Sequence, residues 1–216
     1  MHERASLAHA LSNKEIIFWD FDGVIKDSVN CKSDAFQEIF SKNSAYILEK
    51  IKTHHMQNGG VSRYEKIPLY MKWSLVKHTP EEFHKYCDEF SEIVVDKVIK
   101  SQWVPGIQKF LATKSNNYIN IITTATPDDE IKRIAKTLMI ENYFQHVSGS
   151  STSKKECIKI MLSKSNIHPE KALMIGDSLH DFEAARDNEI DFIMRKTDYN
   201  SELISQRSFN YFENFL

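Results

Sequence analysis

The sequence predicts an α/β protein, a parallel sheet flanked by helices, with an all-helical insertion early in the chain. Three observations predict it. Five short, mostly apolar runs lie at 16–19, 119–123, 144–147, 172–175 and 192–194, and unbroken apolar runs are the mark of strands buried on both faces. Amphipathic stretches at 128–139, 155–163 and 181–187 separate the later runs, and alternation of that kind builds a parallel sheet with helices packed on it. Between about 30 and 103 the pattern is helical, with AFQEIF, AYILEKI and EEFHKYCDEFSEIVVDKVI and no clear buried strand.

The expected division is an α/β core formed by 1–29 plus 105–216, and a small helical cap formed by 30–104. Gly59 and Gly60 break the cap near its middle, and Pro105 with Gly106 closes it. Such a core binds ligands at the carboxyl ends of its strands, here between core and cap.

Composition narrows the class. The chain has 216 residues, enough for one sizeable core with a small accessory domain. A net charge of −2, with 28 Lys and Arg spread along the chain, gives no reason to expect a nucleic-acid partner. No apolar run is long enough for a bilayer, and MHERASLAHALSNK lacks the apolar centre of a signal peptide. Cys31, Cys87 and Cys157 are far apart with no CxxC spacing, so reduced thiols in a cytoplasmic protein are expected.

Two segments carry most of the chemistry. In IIFWDFDGVIKDS, 16–28, a buried strand runs into Asp20-Phe21-Asp22-Gly23. Alternation puts Asp20 and Asp22 on one side. Two carboxylates at a buried strand end are costly unless paired, and a divalent cation is the obvious partner. An acidic turn is the plainer alternative. In KALMIGDSLHDFEAA, 171–185, another apolar strand ends at Gly176-Asp177-Ser178, with Asp181 one helical turn on. Capping of the next helix by Asp177 or Ser178 explains one acid but not the cluster.

Together these segments resemble the haloacid dehalogenase superfamily, and two weaker matches fall in order between them. IITTATP, 121–127, resembles its second motif, with Thr124 as the hydroxyl, Ala125 as the backbone N–H that holds the phosphoryl group, and Thr123 as the nearest competitor. GSSTSKKEC, 149–157, resembles its third, with Lys154 preferred to Lys155 as the lysine. The resemblance implies a Rossmann-like sheet of order 5-4-1-2-3. It implies a phosphatase using Mg2+, with Asp20 as nucleophile forming an aspartyl phosphate and Asp22 as general acid and base. The implied metal ligands are Asp20, the backbone carbonyl of Asp22, and Asp177, with Asp181 supporting them from behind. Val24, Ser151 and Glu189 depart from the family pattern, which often has Thr, Pro and Gly there, and none removes a reacting group.

Gly60-Val61-Ser62-Arg63 is similar to the substrate loop of β-phosphoglucomutases. It makes Gly60 and Arg63 candidates for substrate binding and leaves a phosphomutase as the second reading. A plain turn and surface polar residues, His54 and His55 among them, are the alternative for this segment. Tyr70 and Trp73 share a helix face and are expected in the cap core. The expected partner is a small phosphate ester of a sugar, polyol or amino alcohol, acted on by a monomer or weak homodimer, with no nucleic acid and no membrane involved.

Overall fold

The computed structural model describes residues 6–58, 61–207 and 209–216. The chain divides into two compact units, one running up to Asp27 and from Gln102 onward, the other spanning Ser28–Ser101. In chain order the elements are α1 (Leu7–Ala10), β1 (Ile16–Trp19), β2 (Lys26–Asp27), α2 (Val29–Ile39), α3 (Ala45–Gln57), α4 (Arg63–Trp73) and α5 (Pro80–Lys100). There follow β3 (Gln102–Trp103), α6 (Ile107–Lys114), β4 (Ile119–Thr123), α7 (Asp128–Thr137), β5 (His146–Ser148), α8 (Lys154–Ser165), β6 (Ala172–Gly176), α9 (Leu179–Arg186), β7 (Asp191–Arg195), α10 (Ser201–Arg207) and β8 (Tyr211–Phe212).

The first unit is built on a six-stranded sheet of order β5-β4-β1-β6-β7-β8, parallel at every pairing. Its first five strands in sequence stand in the expected order 5-4-1-2-3. The short strand β8 extends the sheet beyond β7, and this sixth strand was not foreseen. All four residues of β1 and all five of β6 are buried, as strands covered on both faces require. Alternation sends Ile16 and Phe18 to one face, where Cys157, Ile158 and Leu162 of α8 and Ala184 and Ala185 of α9 pack. Trp19 points to the other face, against Phe110 of α6 and Phe215 near the chain end. The aromatic C-terminal segment thus docks on the core.

The pair β2–β3 is a short antiparallel ribbon, Lys26 opposite Trp103 and Asp27 opposite Gln102. It shifts the observed boundaries by two to three residues from the expected 30–104, because 102–104 belongs with the α/β unit. Two-residue strands carry no periodicity, so no pattern of residues marks them.

The second unit is four helices, α2 to α5. Ser44, Ser62 and Thr79 cap α3, α4 and α5, each accepting a backbone N–H from the first turn. Phe36, Ile51, Ile67, Tyr70, Phe90 and Val94 are buried, and the Phe36 ring lies 4.2 Å from that of Phe90 and 5.0 Å from that of Tyr70. Among the described residues no helix is long and apolar enough to cross a membrane.

Candidate active site

Sheet register brings four loops to one edge of the α/β unit. Trp19 stands beside Ile122 on one side and Ile175 on the other. Residues 20–22, 123–126 and 176–178 therefore leave the sheet at one level. Thr123 pairs with Ser148, so the loop that leads to Lys154 starts at the same level.

Asp20 is buried, and its Oδ1 accepts the Phe21 N–H at 2.8 Å. The same oxygen lies 2.9 Å from Lys154 Nζ. Lys154 Nζ also donates to Asp181 Oδ1 at 2.5 Å. Lys154 is the first residue of α8, aimed by the cap Ser153, whose Oγ accepts the Glu156 N–H at 3.2 Å. Lys155 instead reaches Asp187 on the surface.

Asp181 is fully buried. Its Oδ2 accepts the Ser178 hydroxyl at 2.6 Å and the N–H groups of Ser178 and Asp177 at 3.0 and 3.2 Å. A Cβ on Gly176 would overlap the Asp181 side chain, so only glycine lets α9 come this close to β6. One carboxylate oxygen from each of Asp20, Asp177 and Asp181 lies within 4.8 Å of the others.

The charges are unbalanced. Burial, opposed by Lys154 and reinforced by Asp181 and Asp22, pushes the Asp20 carboxyl up to about 7. Burial also carries Asp177 well above the usual carboxylate range, with Asp20 and Asp181 adding to it. Burial disfavours the Lys154 ammonium, but Asp181 and Asp20 outweigh that and hold its proton. Crowded carboxylates repel one another in this way until a cation joins them. Asp181 has both oxygens committed to protein donors, so Asp20 and Asp177 have the oxygens to offer. The donor set fits a hard divalent cation such as Mg2+.

Asp22 Oδ2 accepts a hydrogen bond from the Thr126 hydroxyl at 3.3 Å. The Thr126 N–H in turn donates to Thr124 Oγ1 at 3.2 Å. Thr124 and Thr126 are buried, Ala125 is exposed at the turn between them, and Thr123 lies in the core near Cys157. Thr126 was missed because it stands inside a recognised segment as a third hydroxyl without a motif role.

Other contributors carry no sequence signal. Asn200 Nδ2 donates to the Asp177 carbonyl at 2.7 Å, and Arg195 Nη1 to the Gly23 carbonyl at 3.1 Å. Asp128 accepts the N–H groups of Gly149 and Ser151, both at 3.0 Å, and so shapes the loop before Lys154. A Cβ on Gly149 would come within 2.6 Å of the Asp128 and Thr126 backbones.

The remaining candidates belong to the helical unit. Arg63 is buried, donates to Ser91 Oγ at 2.6 Å, and lies 4.7 Å over the Phe90 ring. Gly60 lies outside the described residues. His55 is buried rather than a surface residue, because its ring packs 5.1 Å from Phe36 and its Nδ1 is 3.0 Å from Lys66 Nζ. Tyr70 is fully buried, with its hydroxyl 3.0 Å from His54 Nδ1.

The chain is similar to known proteins over most of its length. The chain is 25% identical over 185 residues to a phosphorylated carbohydrates phosphatase of Thermotoga maritima, covering 83% of each. It is 27% identical over 199 residues to a phosphoglycolate phosphatase of Nitrosococcus oceani, covering 88% of this chain and 87% of that one. A structure of Bacillus subtilis YfnB bound to magnesium shares the fold, with a TM-score of 0.67, 15% identity, and coverage of 86% and 88%. The family model described as haloacid dehalogenase-like hydrolase matches residues 16–195, across both Asp20 and Asp177, and the chain belongs to that family.

Proposed function

We propose that the protein is a Mg2+-dependent phosphatase that hydrolyses a small phosphorylated metabolite, a sugar, polyol or amino-alcohol phosphate, through an aspartyl phosphate on Asp20. The observation that carries this reading is Lys154 Nζ set between Asp20 and Asp181, with the Asp177 carboxylate alongside. A carboxylate needs no base to be a nucleophile, but it must approach a phosphate dianion. Bound at Asp20, Asp177 and the Asp22 carbonyl, Mg2+ would supply positive charge against that repulsion.

The chain's own groups do the rest. One Asp20 oxygen is held by Lys154 and the Phe21 N–H, which fixes the carboxylate plane and leaves Oδ2 for the phosphorus. Lys154, the Thr124 hydroxyl and the Ala125 N–H hold the phosphoryl oxygens. As the Asp20–phosphorus bond forms and the ester bond breaks, Asp22 gives a proton to the leaving alcohol. Asp22 then takes a proton from the water that attacks the aspartyl phosphate, which releases inorganic phosphate and restores Asp20. Asp181 positions Lys154. Arg63 and Gly60 are assigned to substrate recognition.

Phosphate release from a panel of monoesters with Mg2+ tests the reading. Asp20→Asn is expected to lose at least about a thousandfold in turnover, since a carboxamide cannot form the acyl phosphate. Turnover unchanged in that variant would overturn the reading. The tetrapeptide 60–63 favours a second reading, a phosphomutase. Isomer formation from a sugar phosphate with a bisphosphate activator, without phosphate release, would select it.

A further inference from the structure

The carboxyl end of β7 and the loop after it bury three polar side chains of the α/β unit, Arg195, Thr197 and Asn200. The residues just before them, Ile193 and Met194, are buried and apolar. A guanidinium or an amide in such a place costs free energy unless its donors are used. Arg195 draws little from a carboxylate, since Asp27 Oδ1 stands 3.9 Å away on a half-exposed side chain. Its donors go to main-chain carbonyls, Nη1 to Gly23 at 3.1 Å and Nε to Glu213 at 3.3 Å.

Asn200 extends this into a continuous path. Its Nδ2 donates to the Asp177 carbonyl at 2.7 Å and to the Arg195 carbonyl at 2.8 Å, and its Oδ1 accepts the Thr197 N–H at 2.8 Å. Both donors of the amide are thereby used. The path runs from Gly23 through Arg195 and Asn200 to Asp177. At each end it meets a residue already held on its other side. The Asp177 N–H donates to Asp181 Oδ2 at 3.2 Å. The Gly23 N–H donates to the Lys26 carbonyl at 2.7 Å. That N–H shares a planar trans peptide with the Asp22 carbonyl, which therefore points the opposite way.

We propose that Arg195 and Asn200 form a single positioning strap, which fixes the Asp22 carbonyl relative to the Asp177 side chain and so sets the affinity of the site for Mg2+. The proposal rests on the reading of those two groups as metal ligands. Mg2+ demands near-ideal octahedral geometry, so a small shift of one oxygen against another weakens its hold. Groups that orient ligands from behind are typically worth ten- to a hundredfold in metal affinity. Arg195 and Asn200 act through main-chain carbonyls, which makes them positioning residues. Lys154 and Asp181 order the carboxylates from α8 and α9, and the strap orders the backbone from β7.

Calorimetric titration of Mg2+ into the metal-free full chain tests it, with each variant checked for folding by circular dichroism. Arg195→Met and Asn200→Ala are each expected to raise the Kd for Mg2+ about tenfold. Because both lie on one path, the double variant is expected to lose about as much as either single one, where independent ties would multiply to about a hundredfold. Arg195→Lys keeps a donor for Gly23 and is expected to recover most of the affinity. Lys14→Met controls for stability alone. It removes another largely buried cation tied to β7, through Asp191 at 2.5 Å, and is expected to lower the urea midpoint while leaving Kd as it is. Folded single variants with the wild-type Kd, losses that multiply, an equal rise in Lys14→Met, or a wild type that binds no Mg2+ each overturn the proposal. Mg2+-dependent phosphate release by a wild type whose variants keep its Kd would sink the strap and spare the phosphatase. A Kd that depends on the strap in a protein that hydrolyses no ester would do the reverse.

Discussion

At the scale of the residue, Thr126 shows how much a site depends on groups outside its motifs. Its hydroxyl donates to Asp22 while its N–H holds Thr124, so one side chain links the two loops. Thr126→Val is expected to lower kcat about tenfold with little change in KM, and Thr126→Ser to restore it, in a steady-state assay of phosphate release. Asp20 and Asp177 were legible in the sequence because each directly follows an apolar strand, and Asp22 and Asp181 because they stand close behind them and make each acid one of a cluster. Lys154 was legible only through the resemblance, since the sequence alone does not tell it from Lys155. Asn200 and Arg195 were not legible at all. They act on the Asp177 and Gly23 carbonyls from the far end of the chain, and such contacts depend on the finished sheet.

At the scale of the element, strands were easier to find than their ends. The run 144–147 was expected as a strand, but Glu141–Tyr143 forms a 3-10 turn and pairing starts at His146. Hydrophobicity marks what is buried, and Phe144 is buried before the ladder begins. Helix α8 begins at Lys154 rather than 155, because Ser153 provides the cap. The turn from α9 into β7 carries a cost. Glu189 stands at a φ of 57°, the left-handed region that a Cβ disfavours. Glu189→Gly is expected to raise stability by about 0.5–1 kcal/mol in urea unfolding, relief of strain exceeding the added freedom of the unfolded chain.

At the scale of the whole molecule, the helical unit gives the chain a built-in sensitivity to acid. His55 titrates near 6.5 when unfolded and about 3 when folded, because burial and the nearby lysines exclude its charged form. The unfolded chain therefore binds the proton first as pH falls. The contribution is whole above about 6.5 and disappears as pH drops through 3. Lys66 acts in the same direction between its unfolded value of 10.5 and about 8. Urea midpoints are expected to fall from pH 7 to pH 4, and His55→Gln to flatten that decline. A slope unaltered in the variant would assign the acid loss to other groups.

The ribbon formed by Lys26–Asp27 and Gln102–Trp103 has a last consequence. The chain departs from the α/β unit and re-enters it through neighbouring strands, so the gap it leaves is the width of a single hairpin. Whatever is strung across that gap can be lengthened, swapped or redesigned without sliding any strand of the main sheet past another. The helical unit and the α/β unit are thereby separable inheritances, free to change at different rates in one polypeptide.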